Sequence, residues 1–188
     1  MDATHAFVFR EALEEDALRV RTDDSVGRKD VLIGRSAPSE PVMFTHHMGR
    51  IPKDLIPGSD SWIQLISDKF RDVLCANSFS GWRSYPVEVY GANGKLIGGY
   101  HGLSITGRCG KIDDSKSPII EDGFYPTGIP RKKKVGLFFP PESWDGSDLF
   151  MVSDGYIMFC TERVAEALLS VNLTNVQITR ASEYWRPV

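Results

Sequence analysis

The sequence predicts an α+β domain built on a mixed or antiparallel sheet, with a strand–capped helix–strand unit used twice. Three observations lead there. Residues 54–82 lie on residues 148–176 without a gap when the chain is shifted by 94 positions. Each copy passes from a short apolar run into a helical period. Between the copies, an alternating stretch is broken by an Asn-Gly turn.

The repeat rests on particular positions. Asp54/Asp148, Leu55/Leu149, Ser59/Ser153, Asp60/Asp154, Ile63/Ile157 and Leu74/Leu168 are identical, and Trp62/Tyr156, Ser67/Thr161, Asp68/Glu162, Lys69/Arg163 and Asp72/Glu166 are conservative. The apolar runs 62–66 and 156–160 read as buried strands. Ser67 and Thr161 follow, where a side-chain oxygen caps free N–H groups at a helix start. Asp68 and Glu162 come next, their charge suited to the positive end of the helix dipole. Phe70, Val73 and Leu74, and then Val164, Ala167, Leu168 and Val171, each make one apolar stripe on a helix of about three turns.

Val87-Glu88-Val89-Tyr90 alternates, Gly91-Ala92-Asn93-Gly94 turns, and Leu96, Ile97, Tyr100 and Leu103 resume the pattern, which predicts a hairpin. Residues 107–134 show little periodicity, with three prolines and four glycines, and read as a long exposed loop. In the first 60 residues, alternation around Phe7 and Phe9 and around Leu18 and Val20 favours short strands, with a helix over 11–18 as the alternative and 36–41 as a loop. The chain therefore divides into a strand-rich region, 1–53, and a domain, 54–188, that holds both repeats.

With 188 residues, 41% hydrophobic and 25% charged, the chain is too apolar for disorder and long enough to bury a core without disulfide or metal. A net charge of -3, from 22 basic and 25 acidic residues, argues against a dedicated nucleic-acid binder. Cys75, Cys109 and Cys160 are far apart and form no CxxC pair, so neither a disulfide scaffold nor a zinc ribbon is expected. Acidic residues Asp2, Glu11, Glu14, Glu15 and Asp16 interrupt any signal-like apolar start, and no apolar run approaches the roughly 18 residues of a membrane span. The expected setting is a reducing bacterial cytoplasm, with no membrane partner and no cofactor.

Candidate chemistry is sparse. His46 and His47 are adjacent, and neighbouring strand residues point to opposite faces, so no metal site is expected there. Cys109, beside Arg108 and eight residues after His101, suggests a nucleophile pair, but no third orienting group is evident. The glycines of 91–94 and 98–99 lack the following helix start and Lys-Ser/Thr of a phosphate loop. The run Arg131-Lys132-Lys133-Lys134 precedes an apolar strand, Val135-Gly136-Leu137-Phe138-Phe139, and reads as a guard against edge pairing. Asp113, Asp114, Glu121 and Asp122 flank 115–120 as solvated acids or as a patch for a basic partner.

The run Gly81-Trp82-Arg83-Ser84-Tyr85-Pro86-Val87-Glu88-Val89-Tyr90, then Gly98-Gly99-Tyr100-His101-Gly102 and Gly107-Arg108-Cys109-Gly110, resembles the Imm11-type and related Imm43-like immunity domains of bacterial polymorphic-toxin systems. The closing pattern Thr161-Glu162-Arg163, Leu168 and Leu173-Thr174-Asn175-Val176 adds to it. The resemblance covers roughly residues 54–180 and implies a protein that binds and neutralises a cognate toxin domain, with no catalytic site to carry over. On that reading the segment 107–134 meets the partner, through Asp113, Asp114, Glu121 and Asp122 and with Phe124, Tyr125 and Trp144 as aromatic anchors. Two rivals stand beside it: a Cys-dependent hydrolase or transferase using Cys109 and His101, and a secretion-system adaptor.

Overall fold

In chain order the elements of the computed structural model are β1 (Ala6–Glu11), β2 (Arg19–Arg21), α1 (Arg28–Leu32), β3 (Val42–Met48), β4 (Leu55–Pro57), β5 (Gln64–Ser67), α2 (Asp68–Ala76), β6 (Trp82–Tyr90), β7 (Leu96–Ile97), β8 (Tyr100–Ile105), β9 (Gly107–Cys109), β10 (Ile119–Phe124), β11 (Pro130–Val135), β12 (Leu149–Val152), β13 (Met158–Thr161), α3 (Glu162–Ser170), β14 (Val176–Arg180) and β15 (Trp185–Pro187). The structure describes residues 5–22, 28–58, 63–124, 126–153 and 155–188. The fold is α+β and dominated by sheet. Ser59, Asp60, Trp62 and Asp154 of the sequence repeat lie outside the described residues.

Two mixed sheets carry the fold. One has the order β14-β1-β13-β12-β9, antiparallel except that β9 runs parallel to β12. The other has the order β2-β3-β6-β8-β5-β4, with β7 on β6, and is mixed because β3 runs parallel to β6. A third, antiparallel sheet, β10-β11-β15, stands beside them.

Alternation along the strands decides where each residue packs. Phe9, Leu149, Met151, Met158 and Cys160 point into a central core with Leu55, Ile66, Leu103 and Ile105 of the other sheet. The helices close that core: Phe70 and Leu74 of α2 and Val164, Ala165 and Leu168 of α3 are all at most 1% exposed. The intervening residues Val8, Phe150, Val152 and Phe159 face a second cluster with Leu137 and Phe139, where the Phe150 and Phe159 rings stack at 5.4 Å. Leu65, Tyr85, Val89, Val42 and Phe44 make a third on the far face of the larger sheet.

Geometry recurs at one spacing. The pairs Leu55↔Ile66, Ile56↔Leu65 and Pro57↔Gln64 of β4–β5 are followed 94 residues on by Leu149↔Cys160, Phe150↔Phe159 and Met151↔Met158 of β12–β13. The helices α2 and α3 begin and end 94 residues apart. Ser67 caps α2, its hydroxyl accepting from the Phe70 amide at 3.2 Å. Thr161 corrects the matching expectation for α3: its hydroxyl makes no cap hydrogen bond and instead donates to Asp148 Oδ1 at 3.3 Å.

The turn at 91–94 is formed as expected, with Val89↔Ile97 and Tyr90↔Leu96 across it. Phe7 and Phe9 lie in β1 and Val20 in β2, and residues 12–18 are not helical. The loop expected over 107–134 is corrected. It contains β9, a 3-10 turn at Asp114–Lys116, and the β10–β11 hairpin. That hairpin leaves no apolar alternation to read, because most of its residues are exposed. The basic run does not precede a strand; it is β11 itself, and it pairs on both sides, with β10 and β15. Residues 136–139 are not a strand, although Leu137 and Phe139 are buried.

Candidate partner-binding surface

The β10–β11–β15 sheet is the place where charge and exposed apolar surface meet. Its registers are Ile119↔Lys134, Ile120↔Lys133 and Glu121↔Lys132 on one side of β11, and Lys133↔Pro187, Lys134↔Arg186 and Val135↔Trp185 on the other. Alternation then puts Ile120, Asp122, Lys133 and Trp185 on one face and Ile119, Glu121, Lys132, Lys134 and Arg186 on the opposite one. Between Glu121 and Phe124 the pairing shifts, and Gly123 sits there at φ 72, a left-handed conformation that glycine adopts without a Cβ penalty.

Ion pairs stitch both faces. Lys133 pairs with Asp122, and its ammonium stands 3.7 Å above the Trp185 ring. On the opposite face Asp114 accepts from Lys134 Nζ at 3.0 Å and from the Arg186 guanidinium. The Lys134 and Arg186 hydrogen bonds hold the Asp114 carboxyl below its usual range, and the Lys133 hydrogen bond does the same for Asp122. Asp113 is lowered chiefly by the Ser115 hydroxyl, with Lys116 Nζ 3.6 Å away. Three of the four acids singled out in the sequence are thus engaged by neighbouring groups. Glu121 is exposed across from Lys132.

What the sheet offers outward is apolar. Ile119, Ile120, Phe124, Ile129 and Trp185 are exposed by 46% (Ile120) to 66% (Phe124); Ile120 and Trp185 share one face, Ile119 lies on the other, and Phe124 and Ile129 flank the turn joining β10 to β11. An apolar group of this kind on a small sheet marks an interaction surface. Of the aromatic residues proposed from sequence, Phe124 belongs to this surface and Tyr125 lies outside the described residues. Trp144 is partly buried on the second core cluster, its indole donating to the Ser147 carbonyl at 3.0 Å and its ring 5.9 Å from that of Phe150. Sequence reasoning missed Trp185 and Ile120. The adjacent pair Ile119-Ile120 inside a polar stretch is the one trace of them in the sequence.

The Cys–His pair separates into different environments. Cys109 is 2% exposed in the cluster of Phe139 and Phe150, on a strand of the β14-β1-β13-β12-β9 sheet. His101 belongs to β8 in the other sheet, where its Nε2 is 2.7 Å from Asp68 Oδ1. Arg108 points its guanidinium at the carbonyls of Ile105, Gly107 and Ile33. His46 Nε2 lies 2.8 Å from the Gly49 carbonyl. Among the described residues no helix is long and apolar enough to cross a membrane.

Comparison with known families gives one match. The model of the immunity protein family Imm11 matches residues 2–183, so the chain belongs to that family. No curated protein matches the sequence significantly.

Proposed function

We propose that this chain binds a cognate toxin domain of a bacterial polymorphic-toxin system and neutralises it by occupying its working surface, without catalysis of its own. The family match over residues 2–183 carries the reading. The β10–β11–β15 arm is the contact surface, with Ile120, Phe124 and Trp185 as anchors and Asp122 and Lys133 as the charged groups on the face of Ile120 and Trp185. Aromatic and branched apolar residues surrounded by charged groups are what hot spots are made of. Asp122 and Lys133 hold the arm rigid, which lowers the ordering cost of binding. Trp144 packs on the second core cluster beside Phe150. The strand–helix–strand units at 54–82 and 148–176 are repeats that form the scaffold, and the meeting takes place in the cytoplasm.

The test is co-expression with the toxin domain encoded beside this gene. Cells carrying the wild-type chain are expected to survive, and those carrying Ile120→Asp with Phe124→Ala to be killed. Killing in the presence of folded wild-type chain contradicts the reading.

A further inference from the structure

The strand pairings continue the 94-residue spacing beyond the stretch where sequence similarity is visible. In the smaller mixed sheet β1 lies between β13 and β14; in the larger one β8 lies between β5 and β6. The strand β8 is β1 moved 94 residues along the chain. Its partners move with it. Ala6↔Thr161, Phe7↔Cys160 and Val8↔Phe159 become Tyr100↔Ser67, His101↔Ile66 and Gly102↔Leu65. The five pairs from Phe7↔Arg180 to Glu11↔Val176 become the five from His101↔Pro86 to Ile105↔Trp82. The Ala12 amide donates to the Asn175 carbonyl, and the Thr106 amide donates to that of Gly81, again 94 apart. Left-handed residues match as well, Ser78 with Asn172 and Gly81 with Asn175.

Two aspartates join the halves reciprocally. Asp54 accepts from the Thr174 amide (2.8 Å) and hydroxyl (2.9 Å). Asp148, its counterpart, accepts from the Ser80 amide (2.8 Å) and hydroxyl (2.9 Å), and Ser80 is the counterpart of Thr174.

We infer that the chain is a fused, strand-exchanged pair of 94-residue units, in which the first strand of each unit completes the sheet of the other. The gap between β13 and β14 is a site for one extended strand, and β1 of the other unit is its occupant. Without it, β13 and β14 would stand about two strand spacings apart, roughly 9–10 Å, with unpaired amides and carbonyls on facing edges. The arm β10–β11 is one place where the two units differ: the corresponding stretch of the first unit holds α1. This inference stands independently of toxin binding.

Cleavage and cross-linking test it on the full chain. A site for a specific protease is placed in the exposed turn at 91–94, in a Cys75→Ser background, with Phe7→Cys facing the native Cys160. Paired strand residues have Cα atoms close enough for a disulfide. After cleavage and diamide oxidation, a non-reducing denaturing gel is expected to show one full-length band that falls to half-length fragments on reduction. The surface pair Arg10→Cys with Gln177→Cys reads the same exchange without touching the core. Half-length fragments from both variants before reduction, when the cleaved chains keep the native circular dichroism spectrum, overturn the inference. So does separation of the chain with the protease site but no added cysteine, once cleaved, into two folded halves on a sizing column.

Discussion

Asp148 is the residue on which most polar contacts converge. Besides Ser80 and Thr161 it accepts from Arg163 Nε (2.6 Å) and from Arg163 through a second nitrogen (2.8 Å), a two-pronged pair. Burial pushes its carboxyl up, but the hydrogen bonds from Arg163 and Ser80 prevail and hold the pKa at about 2. A carboxyl depressed in the folded state contributes stability that is complete above its unfolded value, near 4, and disappears as pH falls towards 2. The contribution is about 2 kcal/mol at neutral pH. Asp148→Asn is therefore expected to lose about 2–3 kcal/mol at pH 7 and to narrow its deficit by pH 2.5, measured by urea melts at both. An equal deficit at both pH values would contradict the account. Gly102 is a steric counterpart: a Cβ there would sit 2.0 Å from the Tyr85 ring, which lies directly across from it on β6. Gly102→Ala is expected to cost about 3 kcal/mol, and Gly102→Ala in a Tyr85→Ala background markedly less, as a double-mutant cycle would read.

On the proposed reading, the β10–β11–β15 arm is the element that carries recognition. Its strands are short, charged and mostly exposed, so its apolar residues add little to the core. Trp185→Ala and Ile120→Asp should each shift the melting temperature by no more than a few degrees. They should weaken toxin binding at least tenfold, as titration calorimetry would read. Lys133→Met is expected to loosen the arm, since it removes both the pair with Asp122 and the contact over Trp185; faster amide exchange in β10 and β15 would record it. The arm was poorly legible in the sequence for a physical reason. A strand exposed on both faces has no burial to impose alternation, so 107–134 reads as loop and Arg131 to Lys134 as a boundary rather than a central strand. The helices were legible for the converse reason. Phe70 and Leu74, and Val164 and Leu168, must face one core, and that requirement writes the helical period into the chain.

At the scale of the molecule, two sheets share a central core with α2 and α3, and each sheet holds the first long strand of the other half of the chain, β1 in one and β8 in the other. The similarity of 54–82 and 148–176 was visible because Asp54 and Asp148 and the apolar faces of α2 and α3 keep the same positions. Its continuation into β1 and β8 was not: the sequences Ala-Phe-Val-Phe-Arg-Glu and Tyr-His-Gly-Leu-Ser-Ile share no residue in register, and only backbone pairing relates them. Interlocked sheets should unfold together. Tryptophan fluorescence and far-ultraviolet circular dichroism are expected to report one coincident urea transition; two separate midpoints would mean that the halves unfold independently.

As proposed, this member of the Imm11 family disables a toxin domain by covering it with the arm. The most direct measurement is calorimetric titration of the purified toxin domain into the folded chain, with toxin activity assayed on the same mixtures. A saturating 1:1 complex in which activity is lost, with both effects abolished by Ile120→Asp, is the predicted result. No heat of binding and undiminished activity against a folded wild-type chain would contradict it.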